Sequence, residues 1–376
     1  MTSPSAPAER RSASLYLDAN ATEPLRPEAR EAALAAMEQG GNPSSVHQAG
    51  RAARKILEES RERVAAFGNA RPEDVVFCAG ATEADALAVH ALGFNRPILV
   101  GATEHDAIRA AAPGAFTIPV LTNGQVDMAV LECLLAAHPN ALVCLMAANN
   151  ETGVLHDIEI AGKLCKNAGA LLHVDAVQAI GRANKDWLAL GAVSFAISGH
   201  KLGAPVGAGA LVTRPGINIR PLIQGGGQER GRRGGTSALP AIAGMAAALG
   251  ASYRAELIAA WRDEIEAFCC ACGAVVAGAT APRLPNTLCL SMPGVRAETQ
   301  LITLDMAGIC VSSGSACSSG KVTASYVLLA MGCGHLASQA IRVSLPWNTD
   351  AGMVQKFKSA YAAMANRTLR SPAQSA

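Results

Sequence analysis

The sequence predicts an α/β fold: a mainly parallel sheet covered by helices on both faces, plus a smaller α+β C-terminal domain. Three observations carry this. Short runs that are apolar on both faces recur through the first two thirds of the chain, as strands buried on both sides must. Stretches with apolar residues at three-to-four spacing fill most of the gaps, as crossover helices would. After a Gly/Arg-rich loop, Gly225 to Gly235, the pattern changes to a long Ala-rich helical region and then a new set of strands and helices.

The elements follow in order. Leu15 to Leu17 reads as a short strand, and Pro27 to Gln39 as a helix with Pro in its first turn. Val46 to Phe67 is a longer helix, with Val46, Ala49, Ala53, Ile56, Leu57, Val64 and Phe67 on one face. Strand-like runs then recur at Val75–Phe77, Ile98–Val100, Ala115–Val120, Leu142–Met146, Ala170–Val174, Val193–Ile197 and Gly209–Val212. Helical patterns at Thr82–Leu92, Asp127–Ala137 and Asp157–Asn167 separate several of them. The Ala-rich helical region runs to about Cys272, and Leu288–Ser291 and Ile341–Leu345 are later strands. The expected organisation is a flexible N-terminal segment, 1–14, a large domain, 15–261, and a small domain, 262–376.

Composition narrows the function. At about 150 residues per domain, 376 residues suit two domains with real cores. With 50% hydrophobic and 16% charged residues, the chain is no disordered tail. Thirty-two basic residues against 30 acidic leave +2, which excludes nucleic-acid binding by bulk charge. The apolar runs Ala141–Ala148 and Ala241–Ala251 fall short of the ~18 residues of a membrane span. Eleven cysteines, scattered mostly in apolar segments, read as reduced thiols that pack as small hydrophobes. Met1–Ser14 has Arg10 and Arg11 but no following apolar stretch, so it is not a secretory signal. A cytoplasmic protein is expected.

In a sheet of this kind, ligands collect at the carboxyl ends of the strands. After Val75–Phe77 come Cys78-Ala79-Gly80-Ala81-Thr82-Glu83-Ala84-Asp85, where small residues admit a ligand and Thr82 with Asp85 resembles a capping box. Such a helix start suits a phosphate, although an ordinary capped helix reads the same way. Asp175 ends a buried strand, either as a cap or as a carboxylate aimed at a cation. Lys201 follows another strand in Ser198-Gly199-His200-Lys201, either as an ordinary solvated lysine or, where desolvation lowers its pKa, as a Schiff-base nucleophile. A phosphate cradle, an acid and a lysine at three strand ends are the parts pyridoxal phosphate needs.

An ordered string of motifs strengthens the point: Tyr16-Leu17-Asp18-Ala19-Asn20-Ala21-Thr22, Gly41-Asn42-Pro43-Ser44-Ser45, Gly80-Ala81-Thr82-Glu83, Thr103-Glu104-His105, Asn149-Asn150-Glu151-Thr152-Gly153, His173-Val174-Asp175-Ala176-Val177-Gln178, Ser198-Gly199-His200-Lys201, Gly225-Gly226-Gly227-Gln228-Glu229-Arg230, Gly234-Gly235-Thr236 and Ser312-Ser313-Gly314-Ser315-Ala316-Cys317. Together, from about residue 15 to 360, they resemble the cysteine desulfurases of the nitrogenase and iron–sulfur-cluster type. Those are fold-type I pyridoxal-phosphate enzymes related to class V aminotransferases.

The resemblance implies roles. Lys201 matches the lysine that carries the cofactor, Asp175 the partner of the pyridinium nitrogen, and His105 the histidine that stacks on the ring and moves protons. Asn150 and Gln178 match ring-binding side chains; Ala81, Thr82, Ser198 and His200 match the phosphate cradle. Thr236 matches a phosphate ligand from a second subunit, implying a homodimer. Arg342, with Asn150, matches the group that holds the substrate carboxylate.

Cys317, in the Ser/Gly-rich stretch Ser312–Gly320, matches the thiol that takes sulfur from L-cysteine as a persulfide; an exposed mobile loop is expected there. The sulfur would pass to an acceptor or cluster scaffold protein, with nitrogen fixation one destination. No resident metal is implied, beyond transient contact of Cys317 with a nascent iron–sulfur cluster. Cys269-Cys270-Ala271-Cys272 lacks the second pair a zinc site needs. The alternatives are a selenocysteine lyase, a class V aminotransferase, which has no use for Cys317, or a non-catalytic assembly partner. Ala19, Val206 and Tyr326 stand where relatives often carry a polar residue, a lysine and a histidine.

Overall fold

The computed structural model describes residues 14–314 and 323–370. The chain enters through β1 (Leu15–Tyr16), α1 (Pro27–Gln39) and α2 (Gln48–Phe67). Then follow β2 (Val75–Cys78), α3 (Ala81–Leu92), β3 (Ile98–Gly101), α4 (Asp106–Ala111) and β4 (Phe116–Ile118). Next are α5 (Met128–Ala137), β5 (Leu142–Met146), α6 (Ile158–Asn167), β6 (Leu171–Asp175), β7 (Ser194–Ser198) and β8 (Gly209–Thr213). The seven strands β2 to β8 form one sheet in the order β2-β8-β7-β6-β5-β3-β4. Neighbours pair in parallel from β4 to β7, while β8 lies antiparallel to both β7 and β2.

Strand residues alternate between two cores. Val75, Phe77, Val143, Leu145, Leu172 and Val174 pack with Leu57, Val64, Leu131, Ala161 and Ile242 on one face. Val76, Cys78, Leu142, Cys144, Ala196 and Leu211 pack with Leu87, Ala88 and Ile108 on the other. Burial on both sides is why these strands read as unbroken apolar runs.

The remaining elements are α7 (Leu239–Leu249), α8 (Ala255–Ala271), β9 (Val275–Val276), β10 (Thr287–Ser291), α9 (Ala297–Met306), β11 (Ile309–Cys310), α10 (Tyr326–Ala330), β12 (Ala340–Ser344) and α11 (Ala351–Arg370). Strands β12, β10 and β9 make a small antiparallel sheet. Its core joins Leu288, Leu290, Ile341 and Val343 to Ile258, Ile265, Leu304, Phe357 and Tyr361. The first strand, β1, pairs in parallel with β11, so Leu15 and Leu17 belong to this second core.

Several expectations need correction. The helix expected from Val46 starts at Gln48, capped by His47, and Val46 is 87% exposed. The long Ala-rich helix breaks after Gly250, because α7 packs on the large core and α8 on the small one. The pair Thr82–Asp85 is no capping box: α3 begins at Ala81 after Gly80, without a side-chain cap, and Asp85 is buried against His173. Of the ten described cysteines, all free, only Cys78, Cys144, Cys165, Cys269 and Cys289 are buried. Among the described residues, no helix is long and apolar enough to cross a membrane and no side-chain cluster has the makings of a metal site.

Candidate active site

The carboxyl ends of β5, β6 and β7, the amino end of α3 and strand β12 enclose a cavity of about 380 Å³. Ala81, Thr82, His105, Asn150, Asp175, Gln178, Ser198, His200, Lys201 and Arg342 all line it. Thr236 does not. It lines a separate hollow of about 50 Å³ that shares Ala79 and Gly207 with the large one. Cys317 lies outside the described residues.

The cavity floor is acidic. Along β6, Leu172 and Val174 face the large core, so His173 and Asp175 face α3. Asp175 Oδ1 accepts a bond from the Val177 amide at 2.9 Å. Burial, helped by the nearby Asp85 charge, pushes the Asp175 pKa up to about 7. Asp85 is 1% exposed; its Oδ1 lies 3.1 Å from His173 Nε2, and Oδ2 has no hydrogen-bond partner among the described residues. The other His173 nitrogen meets Ser194 Oγ at 2.8 Å, and burial holds this imidazole down at about 4. Glu104 is also buried, its Oε1 accepting from the Met146 amide at 2.6 Å, and burial raises its pKa well above the usual range.

One end of the cavity suits an anion. Gly80 leaves the first turn of α3 with no side chain to occupy its amides. The turn fits against β8 because position 209 is glycine: a Cβ there would stand 2.5 Å from the Gly80 carbonyl carbon. Thr82, Ser198 and His200 surround this end. Burial, reinforced by the Lys201 charge, lowers the His200 pKa to about 4, and its Nδ1 lies 3.1 Å from Thr22 Oγ1.

Lys201 closes a short turn after β7 and donates from Nζ to the carbonyls of Asn20, at 2.6 Å, and Ala21, at 2.9 Å. These carbonyls belong to a strap, residues 18–23, that joins the two cores. Asn20 bonds to Thr287 Oγ1 and the Asn150 carbonyl, and accepts from Gln178 Nε2 at its own carbonyl. Arg182 ties Gln178 Oε1 to Glu23, each at 2.6 Å. His105 caps α4: its Nδ1 accepts from the Ala107 amide, which puts the proton of the neutral ring on Nε2.

The wall opposite the floor is basic. Arg342, whose side chain is 2% exposed, projects from the middle of β12. Its Nη2 meets Asp18 Oδ1 at 2.7 Å and its Nη1 donates to the Asn150 carbonyl at 3.2 Å. Arg342 Nε and Asn150 Oδ1 have no partner among the described residues. Both residues line the cavity, and each keeps one such buried polar atom without a partner. With an acid on the floor, amides at α3 and an amine between, this set fits a flat cationic ring bearing a phosphate, together with a small amino acid.

Sequence reasoning missed Asp18, the role of Asp85, Glu104 and Arg182. Their one signal was a charged residue beside a strand end or inside a short motif, which alone does not reveal a partner. Of the noted departures, Val206 is 72% exposed at the cavity rim, and Ala19 is wholly buried. Tyr326 donates to the Glu104 carbonyl at 2.9 Å under the Arg109 guanidinium, so it anchors the residue before His105.

A family model described as aminotransferase class-V matches residues 15–357. The chain is 39% identical to the cysteine desulfurase of Trichormus azollae, over 91% of this chain and 90% of that protein. An X-ray structure of a NifS-like protein from Rickettsia africae ESF-5 superposes with a TM-score of 0.88 at 33% identity, covering 94% of this chain and 99% of that one. SspA in complex with cysteine superposes with a TM-score of 0.77 at 26% identity, over 89% and 99% of the two chains.

Proposed function

We propose the reading that follows from one premise: this chain belongs to the class-V aminotransferase family. It is a cysteine desulfurase, converting L-cysteine to L-alanine and moving the sulfur as a persulfide. The family depends on pyridoxal phosphate. We propose that this chain holds that cofactor in the 380 Å³ cavity, because Asp175, the uncapped start of α3 and Lys201 meet there.

When bound, the cofactor supplies an electron sink that acidifies the substrate Cα–H and loosens its sulfur. Lys201 would carry it, and Asp175 would set its carboxylate against the ring nitrogen. His105 would stack on the ring; Asn150 and Gln178 would hydrogen-bond its edge. Ala81, Thr82, Ser198 and His200 would hold the phosphate, with Thr236 supplied from the second subunit of a homodimer. Arg342 takes the substrate carboxylate, with Asn150 beside it. The Lys201 amine removes the Cα proton. The Cys317 thiolate attacks the substrate sulfur, so an S–S bond forms as the Cβ–S bond breaks, its electron pair passing to Cβ, which takes up a proton to become the methyl group of alanine. Alanine leaves, and a cytoplasmic acceptor or scaffold protein takes the persulfide sulfur. The division into domains 15–261 and 262–376 belongs to the same proposal, with β1 and the first turns of α8 packed on the smaller core.

Cys317→Ala is the decisive variant. It should still bind pyridoxal phosphate and respond to L-cysteine in its absorption spectrum, while sulfide and persulfide output fall by about two orders of magnitude or more. Unchanged sulfide release would remove Cys317 from the reaction.

A further inference from the structure

Arg342 is the residue assigned above to the substrate carboxylate, yet its guanidinium already holds an internal one. Asp18 lies beside Ser344 in a parallel bridge, two positions along β12 from Arg342. The backbone fixes it there: Leu17 and Ala19 donate to the carbonyls of Cys310 and Ser344, and Ser344 donates back to Leu17. The Tyr16 hydroxyl donates to the Asp18 carbonyl. The aspartate therefore meets Nη2 at 2.7 Å from a rigid seat, its side chain 18% exposed against 2% for Arg342. Nε is buried without a partner among the described residues, so the aspartate does not take the whole fork.

A buried guanidinium needs an anion. A second carboxylate on the same fork meets like-charge repulsion as well as attraction. Resting on the assignment of Arg342, we propose that Asp18 is an internal competitor for that arginine. It orients the guanidinium between turnovers, shares it with an incoming α-carboxylate and reclaims it as the product leaves. Asp18 is thus a positioning residue that weakens carboxylate binding in order to speed release. The Asp18 seat and the Lys201 seat lie on the same strap, two to three residues apart.

The test uses the cofactor-loaded protein and L-alanine, whose binding is read from the cofactor's visible absorbance. Asp18→Asn keeps the hydrogen-bond acceptor and removes the charge. It should bind L-alanine about tenfold more tightly, and kcat and KM for L-cysteine should fall together, the pattern of over-bound ground states. Asp18→Glu keeps the charge and should stay within about threefold of the parent affinity. Equal or weaker alanine binding by Asp18→Asn overturns the proposal. So does a Glu variant as tight as the Asn variant, or loss of cofactor from Asp18→Asn, which would make the residue structural. Arg342→Ala separates the two levels: if it binds alanine like the parent protein, the assignment of Arg342 itself fails, whatever Asp18 does.

Discussion

The floor and the wall of the cavity keep their charges in opposite ways. On the floor, Asp175, Asp85 and Glu104 are buried close together with His173, and burial drives the carboxyl pKa values up and the imidazole down. That region is held near neutrality by protons. On the wall, Arg342 is held near neutrality by Asp18 at 2.7 Å. A floor that stores protons responds to pH and to an arriving cation; a wall that stores an ion pair responds to a competing anion. The cavity therefore leaves neither its acids nor its arginine as an uncompensated buried charge.

Four substitutions break or sharpen this contrast. The largest effect is expected from Lys201→Ala, which removes the amine between floor and wall. Sulfide formation should drop by about four orders of magnitude. Borohydride treatment should fix cofactor mass on Lys201 of the parent protein, by peptide mass spectrometry, and on no lysine of the variant.

Arg342→Lys breaks the wall alone. A point charge cannot reproduce a planar fork, so kcat/KM for L-cysteine should fall about a hundredfold. The preference for L-cysteine over cysteamine, which has no carboxylate, should shrink with it, in parallel assays of sulfide release.

Asp175→Asn probes the floor through stability. In the folded apoprotein Asp175 keeps a proton that the unfolded chain gives up near pH 4, so raising the pH from about 4 to about 7 costs the folded state. Relative to the Asn variant, the parent apoprotein should lose about 2–4 kcal/mol across that window, measured by urea unfolding. A gap that is constant with pH would contradict the buried, proton-holding carboxyl.

Asp85→Asn should act most gently, by removing the neighbouring carboxyl whose ionisation opposes that of Asp175. Asp175 should then deprotonate about one pH unit lower, as read from the carbon-13 shift of its carboxyl group.

The strand-end chemistry was legible because each residue interrupts an apolar run. Asp175 closes β6 and Lys201 follows β7; singly they read as a cap and a solvated lysine, and only their conjunction with the helix start after β2 points to a cofactor. His105 and Gln178 were legible only through the family resemblance, since neither stands out by pattern. Asp85 misled for a local reason: its spacing from Thr82 satisfies a capping box, but the helix begins one residue earlier and turns the carboxylate toward His173. The Ala-rich stretch favours helix on both sides of Gly250, which caps α7 and is the local mark of the break; the change of core between α7 and α8 fixes it there. The Asp18–Arg342 pair joins positions 324 residues apart and has no sequence pattern at all.

The strap also sets an order of events in the life of the chain. Residues 18–23 are synthesised first, yet β1 needs β11 and Asn20 needs Ser344, 324 residues later. At about 5–20 residues per second, that partner follows roughly twenty seconds to a minute behind. The seven-stranded sheet closes entirely within residues 75–213 and has no such wait. So the sheet of the large core can form while the leading strand stays unpaired. The carbonyls that receive Lys201 then take their places only after β10 and β12 have been made.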